Sequence, residues 1–225
     1  LYGTGPAEVR VAAGTYKAGC SNNATPALNV YVANLSPGIS LYGRWNQTFV
    51  ARNGGDSILL DESTTVSVSG ESNPVRTVNA TGSAITRETI VDGFTIKLGT
   101  GGSGSYSHVG IHCEEQASPI IKNCTIAGTG TCGTAIGINL INSDAKIELC
   151  SINPGSSTSR SRGFRIYGGT PEIVDSSISG GSSDVNTFGF AIYTGSNPII
   201  KSCIIEGGVF NSTGYCIWVS QGSPS

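Results

Sequence analysis

The chain has 225 residues, of which 12% are charged, with a formal net charge of −2. That length suits one sizeable domain, and the charge provides no broad basic field to hold nucleic acid or an anionic membrane. Sparse charge beside ordinary apolar content argues against disorder, no apolar run reaches the length of about 18 residues needed to cross a membrane, and 32 glycines with abundant Ser and Thr point to β-structure broken by many turns.

From Leu1 to Ile85, VRVAAGTY, LNVYVANL, GISLYGRW, SILL, TTVSVSG and VRTVNA alternate like strands between Gly, Asn and Pro. They are irregular in length and read as large early coils. From Thr86 onward a repeat takes over. SPIIKNCTI, DAKIELCSI, TPEIVDSSI and NPIIKSCII end at Ile126, Ile152, Ile178 and Ile205, at near-constant spacing. An earlier copy, TIVDGFTI, ends at Ile96, and the wider interval before the next copy fits a longer loop through GTGGSGSYS. A second motif keeps the same phase: GIHC, GINL, GFRI, GFAI and GYCI start at Gly110, Gly137, Gly163, Gly189 and Gly214.

Two motifs on one period of about 26 residues predict a right-handed parallel β-helix, spanning the whole chain as one domain. The chain begins without Met, in mid-pattern, and Pro224 lies one period beyond Pro198, so we expect a fragment of a longer protein. Helical periodicity is absent, and a propeller blade would need a period of roughly 40 or more. Stacked coils put equivalent residues in columns. Val91, Ile121, Ile147, Ile173 and Ile200 form one, and Ile96, Ile126, Ile152, Ile178 and Ile205 a second. Ile111, Ile138, Phe164, Phe190 and Tyr215 form a third, and Cys113, Leu140, Ile166, Ile192 and Ile217 a fourth. Phe94, Cys124, Cys150, Ser176 and Cys203 form another, whose small thiols read as core packing. Seven Cys with no zinc-like spacing give neither an even disulfide framework nor a metal site.

VAAGTYKAG, GISLYGRW, IVDGFTI and the PIIKNCTI-like units resemble the parallel β-helix repeat proteins of bacterial surfaces, within the pectin-lyase-like superfamily. The resemblance covers nearly the whole chain. It implies the fold and an exported, extracellular or cell-surface location. Superfamily members range from polysaccharide lyases and hydrolases to tailspikes and adhesins, so fold alone does not choose a function.

Catalytic signatures are sparse. Glycoside hydrolysis needs two opposed carboxylates, yet the sequence has no Asp-Asp pair, and the polygalacturonase NxD, DD and GHG motifs are missing. The outward column Asp92, Lys122, Glu148, Val174, Lys201 reads as a surface charge ladder, and Glu114, His112 and Glu115 as solvated polar groups at a strand end. GTGGSGSYS lacks the lysine ending of a phosphate loop, so no cofactor is expected.

The strongest candidate lies four positions after each Gly of the second motif, at Tyr167, Tyr193 and Trp218, with Arg165 beside them. These should form one exposed aromatic row, suited to sugar rings or a partner's apolar edge. The sequence therefore points to a non-catalytic extracellular module, structural or binding, whose partner is a polysaccharide or a host or cell-surface protein. The alternative is a lyase or hydrolase with a divergent site.

Overall fold

A short strand cannot bury its own apolar side, so this sequence becomes stable only by stacking each coil on the last. The computed structural model describes residues 7–17, 33–45, 55–60, 75–99 and 107–220. It is a parallel β-helix. The segment TTVSVSG, most of LNVYVANL and the GTGGSGSYS loop lie outside the described residues, as does Cys20.

Three sheets run the length of the molecule. The first stacks Ala7–Ala12, Ile39–Trp45, Ile90–Asp92, Ile120–Lys122, Lys146–Glu148, Glu172–Val174 and Ile199–Lys201. The second follows after a sharp corner, from Gly14–Lys17 to Ile204–Glu206. The third carries the long strands, Val75–Thr81, Ser107–Glu114, Thr131–Ile141 and Ser156–Tyr167, and then the split pairs Ser182–Ser183 with Asn186–Ile192 and Val209–Phe210 with Thr213–Val219. All pairings are parallel. Ala7 lies beside Ile39, Tyr42 beside Asp92, Ile90 beside Ile120, Ile120 beside Lys146, Lys146 beside Glu172, and Glu172 beside Ile199. The coils are thus large at first, largest between Tyr42 and Asp92, and settle from Ile120 onward to the period of the sequence repeat.

The isoleucine columns of the first two sheets form as predicted and extend backwards to Leu41 and Leu59. From Val91 to Ile173, and from Ile96 to Ile178, their members are fully buried in one continuous core. Cys124 and Cys150 are buried within it, Cys203 packs against it, and all three are free thiols. Each sulfur donates to the carbonyl two positions earlier, Cys124 to Lys122 at 3.2 Å and Cys150 to Glu148 at 3.3 Å.

The corner between the first two sheets uses left-handed backbone on every regular coil. Gly93, Asn123, Leu149, Asp175 and Ser202 have φ of 80, 51, 54, 48 and 52°. Three of their amides donate to the next coil: Asn123 to Glu148, Leu149 to Val174, Asp175 to Lys201. Asn and Asp tolerate this conformation, whereas leucine does not. Leu149 is also 58% exposed, so it gains little from burial.

The third sheet turns on a glycine column. A methyl group added to Gly110, Gly137 or Gly163 would sit 2.7 Å from the carbonyl oxygen of the next glycine in the stack. The same methyl would meet the Ile126, Ile152 or Ile178 side chain at 2.5–2.7 Å. These glycines therefore face inward, directly before the inward Ile111, Ile138 and Phe164. The inside–outside alternation resets at this point and the strand bends.

The last coil departs from the predicted register. Phe190 pairs with Ile217 and Ile192 with Val219, so Tyr215 falls beside Phe188 and Trp218 beside Ala191. The Gly214 equivalence is off by two positions; Cys216, not Gly214, takes the corner, its carbonyl oxygen lying against Gly189. A shift of two preserves the alternation of a strand, so apolar patterning alone does not reveal it.

Gly163→Ala forces the stack apart and should destabilise the protein by about 1–3 kcal/mol in urea unfolding. Leu149→Asn relieves left-handed strain and should stabilise it by roughly 0.5–1 kcal/mol; an unchanged midpoint would show that the leucine is not strained.

Candidate functional site

The bend creates a seam on the outer side of the third sheet. On one flank lie Arg76, Val109, Ile136, Arg162, Phe188 and Tyr215; on the other lie Asn34, Asn79, His112, Asn139, Arg165, Ala191 and Trp218. The flanks touch: the Phe188 and Trp218 rings are 5.7 Å apart, and Arg76 donates to the Asn79 side chain at 3.0 Å. Outward-facing groups are therefore buried here. Val109, Ile136, Arg162, His112 and Asn139 are all inaccessible, although none of them belongs to the main core.

At the end of the seam nearer the N-terminus is a polar network. His112 and Glu114, expected to be solvated, are instead held tightly. His112 is 1% exposed. Its Nδ1 lies 2.8 Å from the Asn139 amide nitrogen and its Nε2 3.0 Å from Glu114. With the amide donating to Nδ1, Nε2 carries the proton and donates to the carboxylate. Arg76 reaches the other Glu114 oxygen at 3.1 Å, and Thr81 donates to that oxygen as well. Burial, aided by the Arg76 charge, lowers the His112 pKa to about 4. Burial alone would raise the Glu114 carboxyl, but the His112 hydrogen bond and the Arg76 charge outweigh it and hold the group below the ordinary carboxylate range. Glu115 stays out of the network, exposed in a left-handed turn.

At the other end is the aromatic cluster. Tyr167 and Tyr193 stand on successive coils, as expected from their common offset, with ring centroids 3.9 Å apart and planes 9° from parallel. Arg165 lies over Tyr167, its guanidinium carbon 4.8 Å from the ring centre. Trp218 reaches the cluster from the neighbouring column and meets Tyr193 edge-on, 5.3 Å away at 73°. The three rings do gather, but as a half-buried knot rather than an exposed row. The two tyrosines present their faces to each other and to Arg165, which leaves edges and hydroxyls for a ligand. Burial raises the Tyr193 pKa, which keeps this phenol protonated. Beside the pair, Asn142, Gly168, Gly169, Thr194 and Gly195 line a shallow depression that Arg165 and Tyr167 also border.

The surface charge ladder of the first sheet takes a different pairing from the one its column suggests. Lys146 holds Glu148 at 2.6 Å along its own strand, and Lys122 approaches Asp92 at 3.8 Å. Among the described residues no three His, Cys, Asp or Glu side chains converge as a metal site, and no helix is long and apolar enough to cross a membrane.

Sequence reasoning missed Arg76 and Asn79, which join Glu114 and the His112 column from an irregular coil. The available signal was the alternation in VRTVNAT, which sets Val78 beside Ile111 and hence Asn79 beside His112.

No known family, no curated protein and no solved structure matches the chain.

The His112 network makes stability depend on acid. Its folded pKa lies below the unfolded value of 6.5, so the unfolded chain binds the extra proton as pH falls from 6.5 towards 4. Stability should drop across that window by up to about 3 kcal/mol from this group alone. His112→Gln should flatten the dependence of unfolding free energy on pH between 6.5 and 4. An undiminished slope would assign the acid sensitivity to other groups.

Proposed function

We propose that the protein is a non-catalytic binding module of the cell exterior, a β-helix of the pectin-lyase-like kind that holds a saccharide against the outer side of its third sheet. The observation that carries this reading is the Tyr167–Tyr193 pair, half-buried, stacked and overlaid by Arg165 at the rim of a depression. Rings fixed in this way offer rigid phenol edges at low entropic cost, and the guanidinium supplies oriented N–H donors for sugar oxygens. A flat, repeating face suits an extended polymer, because each coil presents its contacts about 4.8 Å beyond the last.

The His112–Glu114 pair supports binding over proton transfer. The basic nitrogen of the imidazole already accepts from Asn139, the ring is sealed from solvent, and the carboxylate is neutralised by Arg76. A general base needs reach to its substrate, and here that reach would require breaking the seam.

Glycan arrays probed with wild type and with Tyr167→Ala/Tyr193→Ala test the proposal, with circular dichroism to check that the variant stays folded. Loss of binding by about tenfold or more is expected, equivalent to about 1.4 kcal/mol. The variant Tyr167→Phe/Tyr193→Phe keeps the stack and removes only the hydroxyls; it should also bind less well, since edges make the contact. Equal binding by all three proteins would remove the aromatic pair from the site. Turnover of pectin, alginate or xylan by the wild type would replace the binding reading with the enzymatic one.

A further inference from the structure

We propose that Cys124 and Cys150 form a peroxide-responsive thiol pair, with Cys124 attacking and Cys150 resolving, that closes into a disulfide between neighbouring coils. The register sets them opposite each other. Ile121 pairs with Ile147 and Thr125 with Ser151, and the Ser151 amide donates to the Cys124 carbonyl at 2.9 Å. Neighbouring strands lie about 4.8 Å apart, inside the range of about 4.4–6.8 Å that disulfides span between α-carbons. In the column Phe94, Cys124, Cys150, Ser176, Cys203, this is the one place where two thiols are adjacent, and both are free.

The two sulfurs are chemically unequal. Cys124 receives a hydrogen bond from the Cys150 thiol and others from the backbone amides of Phe94 and Gly93. Together these hold it below the usual thiol range, against the opposing effect of burial. Cys150 is pushed well above that range by the same bond and by burial. At Cys113 burial dominates and takes the thiol up to about 12. A lowered thiol beside a raised one is the division of labour between attacking and resolving sulfurs.

The chemistry balances with hydrogen peroxide as oxidant. The Cys124 thiolate attacks one peroxide oxygen, the O–O bond breaks, hydroxide leaves and a sulfenic acid forms. The Cys150 sulfur then attacks the sulfenic sulfur and expels the hydroxyl, which departs as water with the thiol proton. Two thiols and one peroxide become one disulfide and two waters, and the sulfurs lose two electrons to the peroxide. Both sulfurs are buried, at 1% and 3% exposure, so the rate follows local opening of the coils.

The experiment exposes the native protein to excess peroxide, blocks the remaining thiols by alkylation, and maps the peptides by mass spectrometry. The expected product is a chain lighter by two hydrogens that yields a Cys124–Cys150 linked peptide. In Cys150→Ser, Cys124 should stop at a sulfenic acid that a dimedone probe captures; in Cys124→Ser, Cys150 should stay unmodified. Ser176 occupies the same column, so serine fits the position, and the wild-type map decides the question even if a variant misfolds. Linkage at other cysteines, oxidation of Cys150 first, or a Cys124–Cys150 bond that forms only in urea would overturn the proposal.

Discussion

Parallel, in-register pairing between successive coils governs every other feature of this molecule. Each residue on a regular coil sits above its copy at a fixed small spacing, so the environment of one position is largely made by the same position one period away. Ile147 is buried because Ile121 and Ile173 lie below and above it. The same rule stacks the cysteines, the left-handed corner residues and the two tyrosines. A side chain unsuited to its column disturbs two neighbours at once, so core and corner positions are restricted to a few residue types.

The degree to which the sequence disclosed this depends on how strongly each column constrains its members. The isoleucine columns of the first two sheets were legible because β-branched residues recur there without interruption. The third sheet was legible up to Ile192 and then misleading, because Gly214 imitates the corner glycine while Cys216 occupies its place. The network around His112 was not legible. Its members Arg76 and Asn79 come from a coil of irregular length, and their contacts depend on a bend that alternation does not encode. For the same reason Tyr167 and Tyr193 were correctly placed on adjacent coils, but their half-buried state was not foreseen.

The bend also changes the electrostatics of the outer surface. On a flat sheet Arg162 and His112 would be hydrated; inside the fold of the seam they lose water, and the imidazole is driven to its neutral form. Polar side chains there act on each other rather than on solvent. The shallow depression beside Tyr167 lies at the margin of this region, where side chains held by their neighbours meet water.

The column of corner glycines bears on how such a chain can grow. Space for a side chain at Gly137 is taken by the backbone of Gly163, and space at Gly163 by that of Gly189. No single member can change without its neighbours, yet a whole coil carries everything needed to fit between two others. Descent by duplication of complete periods is therefore open to this protein, whereas gradual enlargement of one corner is closed. Tandem copying of a unit such as Gly137 to Arg162 would lengthen the binding face while leaving every existing contact type in place.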